Sequence, residues 1–162
     1  MIVANRILVD VEDSCELPSW LDNIEPFLQT VMKMLGYDGQ EFSVLFCSDG
    51  YIKDLNREYR NIDEPTDVLS FESGDSYTDE EGISWKCSGD IAISMEMLVK
   101  NAKYFQVTED EELKRLLVHG ILHLNGYDHG DEHVQQDVEP VCEMLKLQKH
   151  IMQELQSIHI MG

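Results

Sequence analysis

The sequence predicts an α+β fold, a single mixed β-sheet of about four strands packed against several helices. Three observations lead there. Segments of period two and period 3.6 succeed one another in the order β-α-β-α-β-β-α-α-α. The hydrophobic fraction, 43%, is too rich and too evenly spread for a disordered chain. A length of 162 residues suits one domain, 1–162. A domain of that size buries roughly 70% of the surface its unfolded form exposes.

Each element has its own signal. Residues 6–11, RILVDV, alternate apolar and polar and read as the first strand. Ser19 is placed to cap a helix whose stripe is Trp20, Ile24, Phe27, Leu28, Val31 and Leu35, with Gly36 ending it. FSVLFC, 42–47, reads as a buried second strand. Ser48 or Asp49 caps a short helix carrying Ile52, Leu55, Asn56 and Tyr59 on one face and ending near Arg60. Pro65 interrupts the chain, and Asp67–Phe71 is the third strand. Residues 72–82 hold five acids together with Gly74 and Gly82 and read as an exposed hairpin loop. SWKCSGDIAIS is the fourth strand, followed by Ser94 capping a helix through Met97, Leu98, Ala102 and Phe105. Thr108 with Glu111 forms a capping box that opens TEDEELKRLLVHGILHL, whose four first-turn acids suit the helix dipole. The last element is a long helix from about Val134 to Ile158, bent at Pro140, with Val138, Val141, Met144, Leu145, Ile151 and Leu155 inward. The closing IHIMG is expected to fray.

Charge restricts the partners. Twelve Lys+Arg against 32 Asp+Glu give a net −20, a surface that repels nucleic acid and anionic lipid. Cys15, Cys47, Cys87 and Cys142 lie far apart with no CxxC or CxH pairing, and read as reduced, small core residues. The opening MIVANRILVD lacks the pattern of a signal peptide, and no apolar run approaches the ~18 residues of a membrane span. A cytoplasmic, membrane-free protein is expected.

The informative stretch is His119-Gly-Ile-Leu-His123-Leu-Asn-Gly126-Tyr-Asp-His129. His119 and His123 are four apart on a helical pattern, so both imidazoles share one face. Gly126 ends the helix in a left-handed turn that can bring His129 back beneath that face. Two ligands from a helix and one beyond its end leave an open position, the ligand count of a catalytic zinc site at the end of a central helix. The spacing also matches the HExxHxxGxxH frame of metzincin proteases, but their general-base Glu is Gly120 here.

A second constellation surrounds Lys53, Arg57 and Arg60, one of the few non-negative windows. Arg57 is either a phosphate contact or a partner in helix charge pairs. Arg60, at a helix end, either meets substrate or covers terminal carbonyls. In Gly89-Asp90-Ile91, Asp90 either braces a ligand histidine or forms a cap or turn.

Three blocks, LNREYRNIDEPTDVLSF, SGDIAIS and HGILHLNGYDH, lie in that order within about residues 45–130. With them the chain resembles the YbeY family, metal-dependent endoribonucleases also called rRNA maturation factors. The third block is the specific one. The resemblance implies an α+β fold and one zinc ion held by His119, His123 and His129, and it places the functional arginine at Arg60, in YRxxDxPTDVLSF. It further implies cleavage of single-stranded RNA, processing of rRNA ends and ribosome quality control in the bacterial cytoplasm. The small ribosomal subunit and an Era-type GTPase are the implied partners. Glu72 departs from the family, which often has Pro after the Ser-Phe pair, and residues 140–162 carry no motif.

On this reading His119 is both ligand and catalytic residue, Arg60 offsets charge on the phosphate, and Arg57 adjoins the substrate. The general base is unassigned, with Asp128 adjacent in sequence. The −20 charge predicts weak intrinsic affinity for RNA, supplemented by a partner. Two other classes compete: a peptidase-like metal hydrolase with its base elsewhere than Gly120, and a non-catalytic ribosome-associated metalloprotein.

Overall fold

Period-two segments become strands where they are expected, and the sheet gains one strand more. In the computed structural model, which describes residues 4–128, 140 and 142–161, the strands are β1 (Arg6–Val11), β2 (Gln40–Cys47), β3 (Val68–Glu72), β4 (Ser76–Thr78) and β5 (Ser84–Ser94). The helices are α1 (Ile24–Leu35), α2 (Asp49–Arg60), α3 (Met95–Phe105), α4 (Glu109–Leu124) and α5 (Glu143–Glu154). The sheet runs β1-β2-β5-β3, with β1–β2 and β2–β5 parallel and β3–β5 antiparallel. β4 pairs the first residues of β5.

The additional strand lies in the acidic 72–82 segment. It carries no burial pattern, since all three residues of β4 are exposed. Asp79 orders it instead: its carboxylate accepts from the Trp85 indole at 2.9 Å and from the Glu81 and Ile83 amides, and it pairs with Arg6 at 3.1 Å.

The core is lopsided, and that asymmetry positions the site. α1 and α4 cover one sheet face, where Phe42, Val44, Phe46, Ile91 and Ile93 point, and α5 packs on α4. The other face holds a small cluster of Cys47, Ile52, Leu69 and Ala92 beneath α2. α4 is the central helix, flanked by α3 and α5 and lying across β3 and β5. Leu113, Leu116, Leu117, Ile121 and Leu122 of α4 are fully buried, each contributing about 1.5–3 kcal/mol of transfer free energy. Gly120 sits on Ile91 so closely that an added Cβ would meet the Ile91 side chain at 2.8 Å.

Local start signals hold where a single side chain makes the cap. The Ser48, Ser94 and Thr108 hydroxyls each accept the amide three residues on. Ser19 does not cap: a 3₁₀ turn, Leu21–Asn23, precedes α1, and the Asn23 side-chain Nδ2 donates to the Ile160 carbonyl. The last helix also differs from its predicted span. It begins after Cys142 and ends at Glu154, while 134–139 and 141 lie outside the described residues.

The tail does not fray as far as Met161, the last described residue. The Ile160 and Met161 amides donate to one oxygen of Asp110 at 2.7 and 2.8 Å, and Lys114 donates to the Leu155 and Ile158 carbonyls. Burial pushes the Asp110 carboxyl up, but those two amides, with His159 and Lys114, outweigh it and hold its pKa below the ordinary value.

Candidate active site

α4 brings a row of polar side chains to one face: Glu112, Arg115, His119 and His123. Arg115, His119 and His123 form a wall of a cleft of about 510 Å³ whose other wall includes Arg60 and Thr66–Ser70. α3 adds Asn101, Tyr104 and Phe105, and α5 adds Leu145.

His119 and His123 meet as their spacing predicts. Their Nε2 atoms are 3.1 Å apart, with ring centroids at 4.7 Å and planes at 72°. Two nitrogen ligands of a tetrahedral zinc ion, each at about 2.0–2.1 Å, stand about 3.3 Å apart. The pair therefore fits a divalent cation in both donor type and spacing. His119 Nδ1 is 2.7 Å from Oε1 of Gln148, a residue of α5 that is 3% exposed. A carbonyl oxygen can only accept, so the proton sits on Nδ1 and the Nε2 lone pair turns toward His123. Nothing in the sequence pattern marked Gln148, because the contact joins residues 29 apart.

The turn beyond the helix is built as its glycine requires. Gly126 has φ +90°, its amide donates to the His123 carbonyl, and the Tyr127 amide donates to the Leu122 carbonyl at 3.0 Å. That is a complete left-handed helix stop. His129 lies outside the described residues. Among the described residues, no group of three His, Cys, Asp or Glu side chains converges on one point.

Gly120, the position of the protease base in the metzincin frame, is filled by contact with Ile91. Asp90 likewise braces no histidine among the described residues. It shares its face of β5 with Ala92, and its carboxylate accepts from the Ser43 hydroxyl.

One turn back along α4, a different polar group is fully matched. Arg115 meets Glu112 through two parallel hydrogen bonds, Nε to Oε1 at 2.7 Å and Nη2 to Oε2 at 2.6 Å. Nη2 also reaches Asp67 at 3.5 Å, and Asn101 donates to both carboxylates. Burial works against the Arg115 charge, and the Glu112 carboxylate outweighs it, so the guanidinium pKa lies above its ordinary value.

Of the predicted arginines, Arg60 lines the cleft and Arg57 does not. Arg60 leaves its own helix end and donates to the Ser70 carbonyl at 2.7 Å, its guanidinium 5.3 Å from the Phe71 ring centroid. Asn61 makes the α2 stop instead, at φ 59°. Arg57 pairs with Asp54 at 3.0 Å and Asp63 at 3.6 Å, and Lys53 also faces Asp63. Ser70, on the β3 face shared with Val68, has a buried hydroxyl with no partner among the described residues.

The comparisons agree with this architecture. The family model described as Endoribonuclease YbeY matches residues 9–156. A curated relative named Endoribonuclease YbeY from Treponema denticola is 46% identical over 160 residues, 98% of each chain. Its namesake from Treponema pallidum is 41% identical over 152 residues, 94% of this chain and 91% of its own. The solution structure of a protein from Thermotoga maritima superposes with a TM-score of 0.59 at 30% identity, over 93% of this chain and 89% of that one. By the span of the family match and the identity to these relatives, the chain belongs to the Endoribonuclease YbeY family.

Proposed function

We propose that the protein is a zinc-dependent endoribonuclease cutting single-stranded RNA in the maturation of rRNA and in ribosome quality control. Family membership supports the reaction and the RNA substrate. The observation that carries the metal reading is the pair of Nε2 atoms 3.1 Å apart, one of them oriented by Gln148. His119, His123 and His129 would hold one zinc ion. Bound there, the ion supplies Lewis acidity toward a phosphoryl oxygen and lowers the pKa of water.

The chain's own residues do the remainder. Arg60 forms no ion pair among the described residues, and part of its guanidinium fork is free of the Ser70 carbonyl for a phosphate. Gln148 fixes the tautomer of His119. The peptidase alternative lacks support, since Gly120 has no room for a carboxylate and the Glu112 and Asp67 carboxylates engage Arg115.

The proposed setting is the cytoplasm, with rRNA on the small ribosomal subunit as substrate and an Era-type GTPase as a further partner. Among the described residues no helix is long and apolar enough to cross a membrane. The net charge of −20 leaves part of the RNA affinity to such partners.

The test is metal content per chain beside cleavage of single-stranded RNA. Wild-type protein should carry about one zinc ion, and His123→Ala should lose it together with at least about 1,000-fold in kcat/KM. Arg60→Ala should keep its zinc and lose about 100-fold in kcat. Cleavage that survives chelation, or that persists in full after His123→Ala, refutes the metal mechanism. If chelation unfolds the protein while Arg60→Ala cleaves normally, the ion is purely structural.

A further inference from the structure

Tyr104, the penultimate residue of α3, lines the same cleft as His119, His123 and Arg60, yet it is 72% exposed. Its ring meets Phe105 edge-on, with centroids at 4.9 Å and planes at 77°. Phe105 lies beneath Arg115, whose guanidinium is 5.2 Å from the ring centroid, and Arg115 is locked by Glu112 and Asp67. Tyr104 thus stands on a rigid base while facing water. Helix packing has no use for it there, since the buried side of α3 is carried by Leu98 and Ala102.

The charge balance says what such a ring is suited to hold. A chain of net charge −20 gains no long-range attraction for RNA. Within the cleft the Arg115 charge is matched by Glu112 and Asp67, which leaves Arg60 to meet a phosphate. Further affinity beside the histidines has to come from a contact that does not depend on net charge. Stacking of a nucleobase on an aromatic ring is such a contact, worth about 5- to 150-fold per base and tolerant of sequence. It also requires an unpaired base, because a base within a duplex has both faces covered.

We propose that Tyr104 is a platform on which an unpaired nucleobase stacks, next to the phosphate held at Arg60 and the histidine pair. The proposal rests on the endoribonuclease reading above. Selection of single-stranded over duplex RNA then begins at this ring.

The experiment uses zinc-loaded wild type, Tyr104→Phe and Tyr104→Ala with a short single-stranded RNA carrying 2-aminopurine. Cleavage kinetics and quenching of the base fluorescence in the stopped-flow binding phase are read together. Tyr104→Ala should raise KM about tenfold with kcat within about twofold, and should lose the quenching. Tyr104→Phe should keep both, because the ring and not the hydroxyl makes the contact. All three proteins should share one melting temperature, since an exposed side chain contributes little to folding. A Tyr104→Ala protein with wild-type KM and quenching overturns the platform, as does a Tyr104→Phe protein as impaired as Tyr104→Ala. Equal KM values for all three, with weaker binding of Tyr104→Ala to the small ribosomal subunit alone, would make the ring a docking contact to the subunit rather than a platform for the cleaved strand and overturn the proposal. Wild-type protein that neither cleaves nor quenches would remove the endoribonuclease reading, and the platform with it.

Discussion

The two polar clusters on α4 use similar side chains to opposite ends. The one at Glu112 and Arg115 is closed: cation, carboxylates and the Asn101 amide satisfy one another at 2.6–3.5 Å. The one at His119 and His123 brings two ring nitrogen atoms to 3.1 Å, close to the spacing that two ligands of one zinc ion take. Ion pairs closed on one another fix geometry, and two imidazole nitrogens side by side are donors suited to a divalent ion. Chemical type alone therefore does not identify a working arginine. Arg115 is the more buried and the better hydrogen-bonded of the two cleft arginines, while Arg60, partly exposed to the cleft, is placed to meet substrate.

The strongest way to break that contrast is to open the closed cluster. Glu112→Ala leaves Arg115 with Asp67 as its remaining acid and should cost about 3–5 kcal/mol in urea unfolding. A loss below about 1 kcal/mol would mean that the cluster is not the scaffold described here. Gln148→Leu perturbs the other cluster without touching a ligand atom. It should weaken zinc binding by about 10- to 100-fold in competition with a chromophoric chelator, and Gln148→Glu should restore or tighten it. Equal zinc affinity in all three proteins would show that the His119 tautomer needs no external support. The smallest expected effect separates Arg57 from Arg60. Arg57→Ala removes exposed pairs with Asp54 and Asp63, so kcat/KM should stay within about twofold and stability within about 0.5 kcal/mol.

Legibility followed sequence distance. The pairing of His119 with His123, the Gly126 stop and the caps at Ser48, Ser94 and Thr108 are set within one or two helical turns, and each was readable as a spacing. Gln148 and Asp67 reach α4 from 29 and 48 residues away, and no local pattern announces such contacts. β4 was invisible because its three residues bury nothing, and the Asp79 contacts that order it are individual hydrogen bonds without a period. Asp90 was readable after all. Once Ile91 and Ile93 are assigned to the core face, strand parity sends Asp90 to the opposite one, away from the histidines.

Gly120 separates the two imidazole-bearing residues and rests directly on Ile91 of the central strand. The strand therefore works as a gauge block, setting the height at which both rings are presented to the cleft. Bulk added at Ile91 would lift the whole helical turn. Its signature would be an altered preference among divalent ions of different radius, read in a fold that otherwise melts as before.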